Sequence, residues 1–393
     1  MIRRNIFENI SPLDHRYSLH EEEFNKYSYY LSEKAKVRYQ ARVEDALVKV
    51  LAKRGICSKE VSAEVSEAVN NLLPEEVYQE ESRTKHNIRA LVNCIQRKIS
   101  PEARPYVHFT TTSFDIVDTA NSLRYKEVSR ELIIPVLLEL EKLLMDISLR
   151  EKDTVQVGRT HGQHAVPVTF GFTIAEYVSR LGNRINEIKE KSLLLVGKIS
   201  GAVGAYNASH LFFEDPESFE ADVLEELGLD TGTHSTQIVE PEYITDFIHS
   251  LVSCFGVLAS LSDDMRHLQR SEIGEIGEYF DKEQVGSSTM PHKRNPINYE
   301  NVKSLWKEFM PRMNTVYMDQ LSEHQRDLTN SASSRFIPEI IVGLMEAAHR
   351  LIRVFNKMAV DHENIKKNFN MNKEMIVAEP LYILLASYGH PDA

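Results

Sequence analysis

From Ile244 onward the apolar residues fall at steps of three and four: Ile244, Phe247, Ile248, Leu251, Phe255, Leu258, Leu261, Met265 and Leu268. That spacing draws one stripe along a helix, so a single long helix is predicted here. Leu123, Val128, Leu132, Val136, Leu140, Leu143 and Ile147 draw a second stripe. Pro135 lies inside it and predicts a kink, because proline has no N–H to give the preceding turn. Ile174, Val178, Leu181, Ile185 and Ile188 make a third stripe. Val302, Leu305, Phe309, Met313, Val316 and Leu321 make a fourth, and Ile337 to Met358 spans a fifth.

Helices of about 25 residues or more exceed the globular mean of about 11–12, and several together predict an elongated bundle. Cys254 and Val257 are apolar but lie off the main stripe. A helix apolar on more than one face needs more than one neighbour, so packing between subunits through the bundle is expected. The fold class predicted is all-α. Residues 1–105 read as a separate helical lead-in closed by Ile99 to Pro105, residues 106–360 as the long-helix bundle, and residues 361–393 as the start of a further helical segment. Strand-like pieces such as Thr154 to Val157 are too few to build a sheet domain.

Composition narrows the function. The 393 residues are 42% hydrophobic and carry a net charge of −12. Such a surface suits neither nucleic acid nor an anionic membrane, so an anionic ligand must be gathered by local cations. Cys57, Cys94 and Cys254 are few, odd in number and widely spaced, which points to a reducing, cytoplasmic setting without disulfides or zinc. The first residues, MIRRNIFENISPLD, contain no apolar h-region, and the run LIIPVLLEL is too short to span a bilayer.

Four polar stretches interrupt the apolar pattern. HFTTTSFDIVDTA, His108 to Ala120, is rich in hydroxyls and then enters a helix. It suits an N-cap, and a helix N-terminus also suits an anion. In VGRTHGQHAVPVTFG, Val157 to Gly171, His161 and His164 stand three apart. No carboxylate or third histidine stands at a helical offset, and Gly162 with Pro167 argues for a loop rather than a metal pair. GSSTMPHKRNP, Gly286 to Pro296, offers hydroxyls, glycine N–H groups that can form an anion nest, Lys293 and the amide of Asn295, with Glu300 beyond it. QRDLTNSASSR sets Arg326 and Arg335 around a run of small hydroxyls, good chemistry for a phosphate or for a solvated turn. SGAVGAY lacks the Lys-Ser/Thr ending of a phosphate loop and reads as a backbone turn.

Residues Gly286 to Asn295 match in full the pattern Gly-Ser-x-x-Met-x-x-Lys-x-Asn. The chain therefore resembles the fumarase/aspartase superfamily of fumarate-releasing lyases. SPLDHRYS, TKHNI, TTSFDIVDTA, GRTHGQH, the PHKRNP form and QRDLTNSASSR resemble its adenylosuccinate lyase family. The resemblance implies three helical domains, a central bundle that joins four subunits into a homotetramer, and active sites built from several chains. It implies β-elimination of fumarate from adenylosuccinate and from the succinyl-carboxamide intermediate of purine synthesis, with no cofactor and no metal. It also implies roles. Ser287 is the base, Lys293 and Asn295 hold the carboxylate where charge develops, His161 is the acid, Glu300 is its partner, and His86 is a second active-site histidine. Arg16, Tyr17, His108, Arg326, Ser331 and Arg335 resemble phosphate and ribose contacts. Thr112, Ser113, Thr160, Gln237 and Met290 resemble the remaining substrate contacts. Asn87 stands where the family commonly has Asp, and the chain end resembles the opening of the third domain. A sister lyase, such as an argininosuccinate lyase or a carboxymuconate cycloisomerase, is the alternative enzyme. A structural protein on the same scaffold is the alternative from another class.

Overall fold

A computed structural model describes residues 8–280, 283–290 and 292–391. The all-α expectation holds: helices dominate, and the strands are short pairs. The chain divides into two units, each built from three stretches of sequence.

The first unit comprises residues 1–134, 187–250 and 312–342. Its centre is the helix Glu33–Lys53, with Val43, Leu47, Val50 and Leu51 wholly buried. Ile88, Leu91 and Ile95 of helix Asn87–Arg97, Ile116 and Leu123 of helix Ser113–Val128, and Phe219 and Val223 of helix Pro216–Leu227 join the same core. Each fully buried side chain of this kind contributes about 1.5–3 kcal/mol. Two caps fix where the key helices begin. Thr112 and Asp115 form a reciprocal capping box at the start of Ser113–Val128. The ring of His86 caps Asn87–Arg97, its Nδ1 accepting the Arg89 N–H at 3.2 Å.

The second unit comprises residues 135–186, 251–311 and 343–393. Leu140, Leu144, Ile174, Leu181, Leu258, Leu261, Val302 and Leu344 are buried in it. Gly343 is required here: a Cβ at that position would sit 2.4 Å from the ring of Phe309.

The predicted stripes map onto helices Glu242–Leu268, Phe170–Leu193 and Ile337–Phe355. Two differ in detail. The kink at Pro135 is a π-helical turn, Ser129–Ile133, between helices Ser113–Val128 and Ile134–Arg150. The wider turn absorbs the hydrogen bond that proline cannot make. The fourth stripe is broken into Ile297–Phe309 and Arg312–Met318, because Pro311 stops the first helix. Helix Glu242–Leu268 is long and apolar enough to cross a membrane, but 61% of its most apolar window is buried in protein, as the off-stripe residues Cys254 and Val257 require. The three cysteines are buried.

Candidate active site

The first unit contains a cavity of about 940 Å³. Six of the residues singled out in the sequence line it: His86, Ser113, Gln237, Arg326, Ser331 and Arg335. They come from four distant segments: the two caps just described set His86 and Ser113, the loop before helix Ile337–Phe355 carries Arg326, Ser331 and Arg335, and Gln237 comes from the loop before helix Glu242–Leu268. The Nε2 of His86 lies 3.3 Å from the hydroxyl of Ser113, the first residue of the capped helix. Arg326 is set by two contacts. Its guanidinium carbon lies 4.3 Å from the centre of the Phe114 ring, and Nη2 donates to Asn330 Oδ1 at 2.7 Å. Stacking on an aromatic face leaves the edge of a guanidinium open for an anion.

Arg16, Tyr17, His108 and Thr112 are not among the lining residues. Arg16 and Tyr17 follow the short turn Pro12–Asp14, whose Leu13 and Asp14 do line the cavity. Thr112 gives its N–H to Asp115 at 2.7 Å. His108 is engaged by the fully buried Glu44, which accepts the backbone N–H and contacts ring Nδ1, each at 2.8 Å. Burial opposes charge on this ring, but the Glu44 carboxylate outweighs it and holds His108 above the usual histidine range. His108 and Thr110 both have positive φ, at 63° and 59°, so this hydroxyl-rich stretch is locally strained.

Sequence reading missed four other lining residues: Lys36, Phe114, Asp118 and Arg124. Asp118 accepts the Val239 N–H at 3.0 Å. Enclosure raises its carboxyl to about 6, and Val239, Lys198 and Arg326 offset this only in part. The Asp115/Asp118 spacing, three apart across the first two turns of helix Ser113–Val128 and so on one face, was the available signal for it.

The second unit carries the other residues. GRTHGQH is not a free loop. Val155–Thr160 and Gln163–Thr169 form an antiparallel hairpin, and His161-Gly162 is its two-residue turn. Both turn residues have positive φ, 54° and 75°, as a type I′ turn demands. His161 is thus exposed at the tip of a rigid arm, next to Thr160. The arm is anchored at Glu275, which is fully buried. Arg159 reaches both its oxygens, at 3.2 and 2.6 Å, and Asn368 donates to it at 2.9 Å.

The strip from Gly286 to Asn295 folds on itself. Asn295 Nδ2 donates to the Gly286 carbonyl at 2.9 Å and closes the neck. A Cβ on Gly286 would fall 2.0 Å from the Lys293 carbonyl oxygen, so glycine is needed there. Ser287 Oγ accepts the N–H groups of Thr289 and Met290 at 3.4 and 3.2 Å. Lys293 is exposed; Pro291 lies outside the described residues. Beyond the strip, Glu278 caps helix Ile297–Phe309 by accepting the N–H groups of Asn298 and Tyr299 at 2.9 and 3.0 Å. Glu300 is exposed on the first turn of that helix. Among the described residues no hydrogen bond joins His161 to Ser287, Lys293 or Glu300. No group of three or more His, Cys, Asp or Glu residues among them could hold a metal ion.

Comparison with known proteins gives a consistent picture. A lyase family model matches residues 16–308, and an adenylosuccinate lyase C-terminal model matches residues 322–393. The adenylosuccinate lyase of Archaeoglobus fulgidus is 34% identical over 386 residues, 97% of this chain and 83% of that protein. That of Pyrococcus horikoshii is 37% identical over 384 residues, with the same coverage. Among solved structures, the 3-carboxy-cis,cis-muconate lactonizing enzyme of Pseudomonas putida superposes with a TM-score of 0.83 at 25% identity, over 94% of this chain and 84% of that one. A fumarate lyase of Mesorhizobium sp. BNC1 gives the same score at 22% identity, over 94% of this chain and 83% of that one, and shares the fold.

Proposed function

This chain belongs to the lyase family, in its adenylosuccinate lyase branch, and from that premise we propose that it splits adenylosuccinate into AMP and fumarate by β-elimination. The succinyl-carboxamide ribotide of purine synthesis is cleaved the same way. A proton leaves the carbon beside one carboxylate, its electron pair becomes the fumarate double bond, the C–N bond breaks, and the departing nitrogen is protonated. The reaction as written uses no cofactor.

Ser287 takes the proton. The two N–H groups already aimed at its Oγ ease an alkoxide there, which supports this role. Lys293 and Asn295 hold the carboxylate where charge builds up. His161 protonates the nitrogen, with Glu300 as its partner. His86 and Ser113 act together, with Thr112, Thr160, Gln237 and Met290, on the succinyl and amide groups. Arg326, Ser331 and Arg335, with Arg16, Tyr17 and His108, receive the phosphate and ribose. A homotetramer whose copies complete each other's sites is part of the same reading. Exposed Leu138, Met145, Leu149 and Phe172 support such association. The working setting is the cytoplasm, and the three-domain division 1–105, 106–360 and 361–393 is proposed with it.

The observation that carries the reading is the near-complete match to curated adenylosuccinate lyases. A spectrophotometric assay with adenylosuccinate, argininosuccinate and carboxymuconolactone tests it. Turnover of adenylosuccinate is expected. Turnover of another substrate alone would move the chain to a sister activity, and sedimentation as a monomer at working concentration would end the shared-site reading.

A further inference from the structure

SGAVGAY, residues 200–206, lines no part of the cavity of the first unit, but it stands against the backbone that carries Gln237, which does. Gln237 occupies the middle of a tight turn. Ser235 bridges Val239 in antiparallel fashion, and the Thr236 N–H donates to the Ile238 carbonyl at 3.0 Å. A Cβ on Gly204 would fall 2.1 Å from the Ser235 carbonyl oxygen and 2.8 Å from that of Thr236, and Gly204 has a φ of 76°. Glycine alone allows both the approach and the conformation. The hydroxyls of Ser200 and Ser235 share a hydrogen bond at 2.7 Å. At the far end of the same turn Asp118 takes the Val239 N–H.

The SGAVGAY turn is itself anchored. The Tyr206 N–H donates to the Ser200 carbonyl at 2.9 Å and closes it. The buried Glu220 pins both stems: one oxygen accepts the Ile199 N–H, the other the Tyr206 hydroxyl. Asp115, wholly buried, takes the Gly201 N–H on both its oxygens at 3.2 Å and pairs with the ammonium of Lys198. The same carboxylate accepts the Thr112 N–H in the capping box that begins the helix of Ser113. One buried carboxylate thus ties the turn to Ser113, and the Gly204 contact ties it to Gln237. Close packing does not fix the contact from every side. Gly204, Ser235 and Val239 also line a second cavity of about 540 Å³, so polar ties and the glycine must set the position there.

We propose that the turn at residues 200–206 is a positioning element, in which Gly204 and Ser200 aim Gln237 and hold its amide in one frame with Ser113. Neither positioning residue lines the cavity; both act through the backbone of Ser235 and Thr236. An amide serves a ligand only where its oxygen and nitrogen meet the ligand's own groups, and a displacement of about 1 Å costs about a hundredfold in rate. The inference rests on the reading of Gln237 as a substrate contact, and it adds the part of the fold that aims it.

A double-mutant cycle on kcat/KM for adenylosuccinate tests it, with Gly204→Ala and Ser235→Ala each made in the full chain and in Gln237→Ala. Gly204→Ala is expected to lower kcat/KM about a hundredfold. Ser235→Ala, which loses one hydrogen bond, should lower it about two- to tenfold. In the Gln237→Ala background neither should lower it further, because the side chain they aim is gone. A merely structural role would cost the same in both backgrounds. That result, or full kcat/KM in the variants, overturns the proposal. If Gly204→Ala does not fold, the Ser235→Ala cycle decides by the same two outcomes. Amide exchange gives a readout that needs no turnover: residues 235–239 should exchange faster in the variants while helix Glu33–Lys53 keeps its protection. Where Gln237→Ala leaves no measurable rate, faster exchange confined to residues 235–239 upholds the proposal. Unaltered exchange there, or faster exchange throughout the chain, overturns it. A full chain that turns over no adenylosuccinate sinks the proposed reaction, and exchange then decides this inference by itself.

Discussion

His86 Nδ1 accepts the backbone N–H of Arg89 at 3.2 Å while its Nε2 stands 3.3 Å from the hydroxyl of Ser113. Accepting at Nδ1 leaves the ring proton on Nε2, so the neutral imidazole donates to Ser113. One side chain thus starts a helix and also orients a cleft hydroxyl. Asparagine caps helices well but cannot make the second contact. His86→Ala is expected to lower stability by about 1 kcal/mol, and His86→Asn to restore most of it. Neither should restore activity. Urea unfolding alongside the lyase assay checks both, and an active His86→Asn would reduce the residue to a cap.

Gly286→Ala tests the neck of the strip. The added methyl meets a backbone oxygen, which cannot move aside as a side chain could. The strip is exposed, so its opening should leave the melting temperature nearly unchanged. Displacing Ser287 by about 1 Å should lower kcat about a hundredfold. A variant with full kcat would show that the strip's shape is immaterial.

Glu275→Gln removes the charge that holds the hairpin arm. It leaves the Arg159 guanidinium, already well covered, without its carboxylate. Breaking such a pair costs about 3–5 kcal/mol. Chemical denaturation should show that loss, and faster amide exchange in Val155–Thr169 should accompany it. Unaltered exchange there would place the anchor elsewhere.

Asp118 predicts a pH dependence. Its carboxyl is raised from 3.8 to about 6 in the folded chain, chiefly by enclosure. The folded state therefore binds the proton more tightly than the unfolded state does. Stability from this group is greatest below about pH 4, falls as pH rises from about 4 to 6, and stays lower above that. Asp118→Asn keeps an oxygen for the Val239 N–H and removes the charge. It should be more stable than the parent at pH 7, by up to about 3 kcal/mol, and should lack the slope between about pH 4 and 6. Parallel pH–stability curves for the two proteins would refute this.

Apolar periodicity alone marked the long helices, because the face a helix buries must repeat with its turn. The cap at Thr112 was equally legible, since a hydroxyl before an apolar run has one favourable place to go. The signature strip could be recognised from Gly286 to Asn295 because its chemistry is consecutive in sequence. What the sequence left open was anything decided by distant partners. GRTHGQH read as a loop because its strands are ruled by pairing across the turn and by Glu275, more than a hundred residues on. SGAVGAY read as a backbone turn, and nothing local shows that Gly204 meets the carbonyls of Ser235 and Thr236. Local physics fixes helices, caps and turns within a few residues, whereas burial and the matching of charges are properties of the folded interior and were decided only there.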